Sequence, residues 1–256
     1  MQSDPHTNIA YYETLADVYR LFFPDLDKNM QQEGAWLDVV LQTYGAKRVL
    51  DASCGTGRQA VPLAERGYEV IAADPSPAML RQARVIAKQH GTRARFVQTA
   101  FVDLPQAVGS DFDAVIALGN GLCNLEHRED ILAALRSIHR CCRPDGICII
   151  GIKDFDRLCL RRQRFHGHGI DDENGVRTIL FETWDFADPI LIVTAFAMEG
   201  VWDQKIGRHV DWRTRSAQTR EYMAGSREVQ TLAREAGFSS VRRLEHRSEA
   251  VYALCP

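Results

Sequence analysis

The stretch Val49-Leu50-Asp51-Ala52-Ser53-Cys54-Gly55-Thr56-Gly57 constrains this chain more than any other. Apolar and small residues around Asp51 read as the end of a buried strand, and two glycines then precede a helical pattern from Arg58 to Arg66. A backbone that folds sharply over a ligand needs either φ > 0 or the space a Cβ would fill, and the helix N-terminus beyond it presents unpaired N–H groups to an anion. The next apolar run, Val70-Ile71-Ala72-Ala73, closes on Asp74. An acid at the tip of a second strand, beside the first, is placed to accept hydrogen bonds from both hydroxyls of an adenosine ribose.

Around this unit the chain repeats a βα rhythm. Strands are predicted at 48–51, 69–73, 95–97, 111–118 and 147–152, with helices at 58–66, 75–90 and 129–141, and Pro144-Asp145-Gly146 is read as a turn into the fifth strand. Short apolar runs separated by helices mark a largely parallel sheet covered on both faces. Ligands on such sheets sit beyond the C-terminal strand edge, where the glycine turn, Asp74, Gly119-Asn120 and Lys153 converge.

Two helices precede the first strand. Tyr11, Tyr12, Leu15, Val18, Tyr19 and Phe22 recur at helical spacing, Pro24 interrupts, and a second helix runs through Trp36, Leu37, Val40 and Leu41 to Gly45. The aromatic side chains of the first segment either bury a stripe or form a lid over the glycine turn. After Lys153 the pattern changes. Gly167, Gly169 and Gly175 suggest a loop, and three antiparallel strands are predicted at 176–186, 190–202 and 209–219. A helix over 227–236, stopped by Gly237, and two last strands at 238–244 and 250–254 follow. This divides the chain into an N-terminal helical lid (1–34), a core (35–155), a strand-rich cap insertion (156–222) and a C-terminal return to the core (223–256).

Composition narrows the partners. A formal charge of -3 over 256 residues gives no overall drive toward nucleic acid, although Arg157, Arg161, Arg162 and Arg164 cluster. That cluster reads as a solvated helix face, with an anionic small substrate or phosphates as alternatives. No run of about 18 apolar residues is present, and the start, MQSDPHTN, is polar and unlike a signal peptide. Seven cysteines, an odd number without a C-x-x-C, point to a reducing compartment, hence the cytoplasm, and give no support to a metal site. Among the histidines, His139 reads as structural and His166 and His168 as belonging to a solvated surface.

Asp51-x-Ser53-Cys54-Gly55-Thr56-Gly57, Asp74-Pro75-Ser76 with Met79-Leu80, Phe112-Asp113-Ala114-Val115-Ile116, Arg143-Pro144-Asp145-Gly146 and the tail Leu232-Ala233-Arg234-Glu235-Ala236-Gly237-Phe238 resemble, in order and spacing, the motifs of class I S-adenosylmethionine-dependent methyltransferases. A nicotinamide-dependent dehydrogenase would carry G-x-G-x-x-G, whereas Ala60 stands at the third position here. The segments Val18–Phe22, Ala117–Leu125 and Ile152–Asp156 resemble, more narrowly, the glycine and sarcosine N-methyltransferase branch. That branch has an arginine at Lys153, a tyrosine at Phe22, a histidine at Asn124 and an arginine near Asn29.

The resemblance implies a Rossmann-like α/β fold, with a seven-stranded mostly parallel sheet and an antiparallel cap inserted after the fifth strand. It implies S-adenosylmethionine as cofactor, bound by Asp51, Ser53, Gly55, Gly57, Asp74, Pro75, Met79, Ala100, Phe101 and Leu118. The expected reaction is in-line methyl transfer to a small molecule, the nitrogen of an amino-acid-like acceptor. In that pattern Asn120 meets the acceptor's amine and Lys153 its carboxylate or other anion, while Tyr12, Tyr19, Phe22, Asn124 and Phe155 wall the pocket. An O-methyltransferase and a non-catalytic cofactor-binding protein stand as alternatives, and the oligomeric state is open.

Overall fold

The computed structural model describes residues 5–256; the first part of the polar start, residues 1–4, lies outside the described residues. Two helices open the fold, α1 (Pro5–Leu15) and α2 (Leu26–Gln42), with a 3-10 turn at Tyr19–Phe22 between them. The βα series follows: β1 (Arg48–Asp51), α3 (Ala60–Glu65), β2 (Glu69–Asp74), α4 (Pro77–Gln89), β3 (Arg95–Gln98), α5 (Leu104–Val108), β4 (Phe112–Ala117), α6 (Arg128–Cys141) and β5 (Cys142–Ile152). After α7 (Phe155–Arg161) come four antiparallel strands, β6 (Phe165–Glu173), β7 (Val176–Ala187), β8 (Ile190–Asp203) and β9 (Arg208–Tyr222). Then α8 (Ser226–Glu235), β10 (Ser240–Leu244) and β11 (Ala250–Cys255) return the chain to the first sheet.

That sheet has seven strands in the order β10-β11-β5-β4-β1-β2-β3, and the second has the order β6-β7-β8-β9. Only β11 runs against its neighbours, β5 and β10. The architecture is the expected Rossmann-like fold with an antiparallel insertion after the fifth strand. The middles of its central strands are apolar because both faces are covered. Val49 and Ile116 pack with Leu37, Leu41 and Leu63 on one side, while Leu50 and Val115 pack with Leu135, Ile138 and Leu232 on the other. Period-two alternation along β1 and β4 thus sorts each side chain to one helical layer. Ser76 caps α4, accepting from the Met79 N–H at 3.1 Å, and Pro77 fits the first turn, where no intrahelical donor is required.

The second sheet lies against both the core and the N-terminal helix. Leu180, Ala195 and Ala197 pack on Tyr11, Leu15, Val18 and Leu21, while Trp184, Leu191 and Val193 join the main core. Asn8 fastens α1 to β9, its Oδ1 accepting from Thr219 Oγ1 at 2.6 Å and the Arg220 N–H at 3.1 Å.

Two expectations change. Pro144-Asp145-Gly146 does not precede the fifth strand but lies within it, where pairing jumps from Phe112↔Cys142 to Ala114↔Ile147, a bulge that takes up the turn residues. The glycines at 167 and 169 belong to β6, not to a loop: a Cβ on Gly169 would come within 2.7 Å of the Leu21 carbonyl oxygen, so this glycine admits the 3-10 turn against the strand. No described helix is long and apolar enough to cross a membrane.

Candidate functional site

The glycine turn is built from the tips of β1 and β2. Asp51 Oδ1 accepts from the Ser53 N–H at 3.3 Å, and the Cys54 N–H donates to the Ala73 carbonyl at 2.9 Å, which ties the turn to the neighbouring strand. Gly57 has φ +85°, and a Cβ there would sit 3.2 Å from Val61 Cγ2 and 3.4 Å from Ala83 Cβ. Both conformation and space therefore call for glycine. Asp74 bridges the structure: Oδ2 accepts from the Gly55 N–H and Oδ1 from the Ser76 N–H, each at 2.9 Å. Burial pushes Asp51 up to about 7 and Asp74 up to about 6, against the opposing pull of these backbone donors. Asp51 Oδ2 is buried without a partner.

Two cavities meet at this turn, sharing Tyr12, Tyr19, Ser53, Gly55 and Gly119. The outer one, about 190 Å³, is walled by Asp74, Pro75, Met79, Ala100, Phe101 and Asn124. The inner one, about 390 Å³, lies between the turn and the second sheet and is lined by Arg58, Asn120, Lys153, His168, Glu182, Trp184, Glu221 and Glu249, with the rings of Tyr11, Phe22 and Phe23.

Charges in the inner chamber are paired. Lys153 Nζ donates to both oxygens of Glu221, at 2.6 and 2.8 Å, and lies 4.6 Å from the centre of the Trp184 ring. Burial pushes Glu221 up, and the Lys153 ammonium and Asn120 amide only partly oppose it. Glu182 accepts from Tyr11 Oη at 2.6 Å and Trp184 Nε1 at 3.0 Å, with His168 Nε2 at 3.1 Å. Burial alone would raise its pKa, but His168, Lys153, Tyr11 and Trp184 together hold it down at about 2. Arg58 donates to Asn29 Oδ1 at 3.1 Å and Glu33 Oε2 at 3.2 Å, and its other nitrogen lies 3.8 Å from Glu249. Asn120, in left-handed backbone at φ 69°, spans the β4 and β5 ends: Oδ1 accepts from the Lys153 N–H at 3.0 Å. Its Nδ2 is a buried donor near Glu221 that makes no hydrogen bond of normal geometry.

A methyltransferase-domain family profile matches residues 49–146. The glycine/sarcosine N-methyltransferase of Parasynechococcus marenigrum (strain WH8102) is 32% identical over 153 residues, 60% of this chain and 54% of that protein. The glycine N-methyltransferase of Homo sapiens is 32% identical over 160 residues, 56% of this chain and 53% of that protein. The chain is related to the glycine/sarcosine N-methyltransferases. It spans about half the length of these curated relatives. Solved structures match more completely but at lower identity, which speaks to the class I methyltransferase fold alone. Streptomyces venezuelae DesVI superposes with a TM-score of 0.78 at 19% identity, over 94% of this chain and 98% of that one. The sugar N-methyltransferase KedS8 from Streptoalloteichus gives 0.71 at 18%, over 90% and 88%.

The anticipated residues fall into distinct places. Ser53, Gly55, Asp74, Pro75, Met79, Ala100 and Phe101 line the outer chamber, with Tyr12, Tyr19 and Asn124, whose Nδ2 donates to Tyr12 Oη at 2.7 Å. Asn120, Lys153, Phe22 and Leu118 line the inner one. Asp51 and Gly57 lie beneath the turn and outside both linings. Phe155 does not wall a pocket: as the first residue of α7 it is 2% exposed and packs in the core with Ile152, Trp184 and Leu191. Lys153 is not the free point charge expected, since Glu221 holds it. His168 belongs to the inner chamber instead of a solvated surface, and its ring lies 4.6 Å from that of Phe22. His166 stacks on Trp184 at 3.8 Å, and His139 packs on Phe238 at 4.9 Å.

Sequence reasoning missed Arg58, Glu182, Trp184, Glu221 and Glu249. A signal existed for Glu182. It interrupts the inward-facing alternation Leu180, Glu182, Trp184 of β7, and a carboxylate on the buried face of a strand has to be satisfied by something specific. Arg162 and Arg164 pair with Asp188 and Asp185 at the exposed edge of the second sheet.

Proposed function

We propose that this chain is an S-adenosylmethionine-dependent methyltransferase that moves a methyl group onto the nitrogen of a small molecule. The observation that carries the reading is the orphaned Asp51 Oδ2 beneath the junction of two chambers, the outer one bearing a second raised carboxylate, Asp74. Two desolvated acids with no cation bonded to them are costly, and a ligand that brings hydroxyl donors to one and positive charge near the other relieves both. S-adenosylmethionine fits that demand: it supplies a ribose, an ammonium and a methyl group on a sulfonium whose departure as a thioether needs no acid.

In this reading Asp74 holds the ribose hydroxyls, while Met79, Ala100 and Phe101 wall the adenine. Gly55 and Gly57 let the backbone approach the methionine part. Pro75 and Ser53 close the two sides of the turn, and Leu118 lies under the inner chamber. Tyr12, Tyr19 and Phe22 exclude water from the junction, where orientation of an incoming lone pair governs the rate. Asn120, bonded through its Oδ1 to the Lys153 N–H, holds the acceptor. Support for a nitrogen acceptor comes from the relatives, named for glycine, sarcosine and sugar N-methylation. Seven free cysteines, most of them buried, support a reducing compartment such as the cytoplasm.

The test is incubation with S-adenosylmethionine and a pool of small amines and phenols. S-adenosylhomocysteine formed in proportion to an added amine supports the reading. Cofactor bound without acceptor-dependent product would make the chain a binder, and turnover of phenols alone would make it an O-methyltransferase.

A further inference from the structure

The inner chamber holds three carboxylates and no spare cation. Among its described lining residues Glu182, Glu221 and Glu249 stand with Arg58, Lys153 and His168, and each of these basic groups is already engaged, His168 beside Glu182 at 3.1 Å. Lys153 lies on both oxygens of Glu221, and Arg58 reaches Glu33 at 3.2 Å and Glu249 at 3.8 Å. An incoming carboxylate meets no unpaired cation here. It is set instead against like charge in a partly enclosed space, where repulsion is weakly screened.

An amine meets the opposite surroundings. Each oxygen of Glu221 receives one Lys153 N–H and keeps a lone pair, whereas Glu182 is already engaged by Tyr11, Trp184 and His168. Asn120 Nδ2, buried in the same lining, makes no hydrogen bond of normal geometry even with the Glu221 carboxylate beside it, and so is a donor that asks for an oxygen. We propose that the acceptor is a hydroxylated amine without a carboxylate, its nitrogen received beside Glu221 and a hydroxyl oxygen by Asn120 Nδ2. This rests on the methyltransferase reading above and narrows its substrate class.

Acceptor pairs that differ chiefly in the acid group test it: ethanolamine against glycine, and serinol against serine. Each is titrated by calorimetry into the protein saturated with S-adenosylhomocysteine. The carboxylate-free member of each pair binds more tightly by about tenfold or more. Glu221→Gln, which releases the Lys153 charge, narrows or reverses that preference. If Glu221→Gln fails to fold, as judged by lost S-adenosylhomocysteine affinity, Lys153→Gln/Glu221→Gln leaves no unpaired charge at the pair and brings the preference toward one. Equal or tighter binding of the acid-bearing members overturns the inference and leaves the methyltransferase reading standing, as does an unchanged preference in the double variant. Absence of any binding of S-adenosylmethionine or S-adenosylhomocysteine fells the reading itself.

Discussion

Acidification should weaken cofactor binding steeply while the empty fold grows no less stable. Burial holds Asp51 at about 7 and Asp74 at about 6, both above the unfolded value of 3.8. A ligand that engages only the ionised forms loses affinity as the carboxylates take up protons. Between about pH 7.5 and about pH 5.5 the ionised fraction falls roughly 25-fold for Asp51 and roughly 4-fold for Asp74, on the order of a hundredfold together if they act independently. For the empty protein the sign is reversed. A folded-state pKa above the unfolded one contributes stability that is full below the unfolded pKa and is lost as pH rises through the folded one. These two groups therefore favour the empty fold more at about pH 5.5 than at about pH 7.5. Calorimetric titration with S-adenosylmethionine across this range, with thermal unfolding of the ligand-free protein alongside, separates the two trends. Asp51→Asn removes the steeper component and leaves a shallow dependence of about fourfold. Affinity that does not change with pH, or that falls only in step with the unfolding temperature, would refute the reasoning.

Other substitutions probe the scaffold. Gly57→Ala forces a Cβ into left-handed backbone against Val61 and Ala83, which costs about 1–2 kcal/mol before any crowding; a melting temperature lower by about 2–4 °C per kcal/mol is the readout. Tyr11→Phe removes a hydrogen bond to the buried Glu182 and costs about 1–3 kcal/mol by urea unfolding. Because Glu182 is held at about 2 against an ordinary 4.5, its stabilisation is present above 4.5 and lost as pH falls through about 2, so acid unfolding of Tyr11→Phe begins at higher pH. Arg164→Ala deletes an exposed pair with Asp185 and changes stability by less than about 1 kcal/mol; a larger loss would show that the arginine cluster is structural.

The glycine turn and its strand-end acid were legible because their signals are local. Gly55, Gly57 and Asp74 owe their places to the ends of adjacent strands, which hydrophobic runs mark without knowledge of the tertiary fold. The inner chamber was not. Glu182 and Glu221 come together with Lys153 only through the pairing of β7, β8 and β9 over the β5 edge, and no short-range pattern gives that proximity. Phe155 misled because an aromatic just beyond a strand end reads alike whether it faces a ligand or the core. Gly167 and Gly169 misled for a related reason. Glycine marks a loop by propensity, yet Gly169 lies in a strand to admit Leu21 from a distant segment.

The fate of the methyl carbon tests the central claim most directly. Protein incubated with S-adenosylmethionine labelled with carbon-13 at the methyl group, together with a mixture of small amines and phenols, is followed by carbon NMR. The account predicts label appearing as an N-methyl signal, with S-adenosylhomocysteine in equal amount, and loss of that signal in Asp74→Ala. Label that stays on the cofactor, or that appears only as an O-methyl, would contradict it.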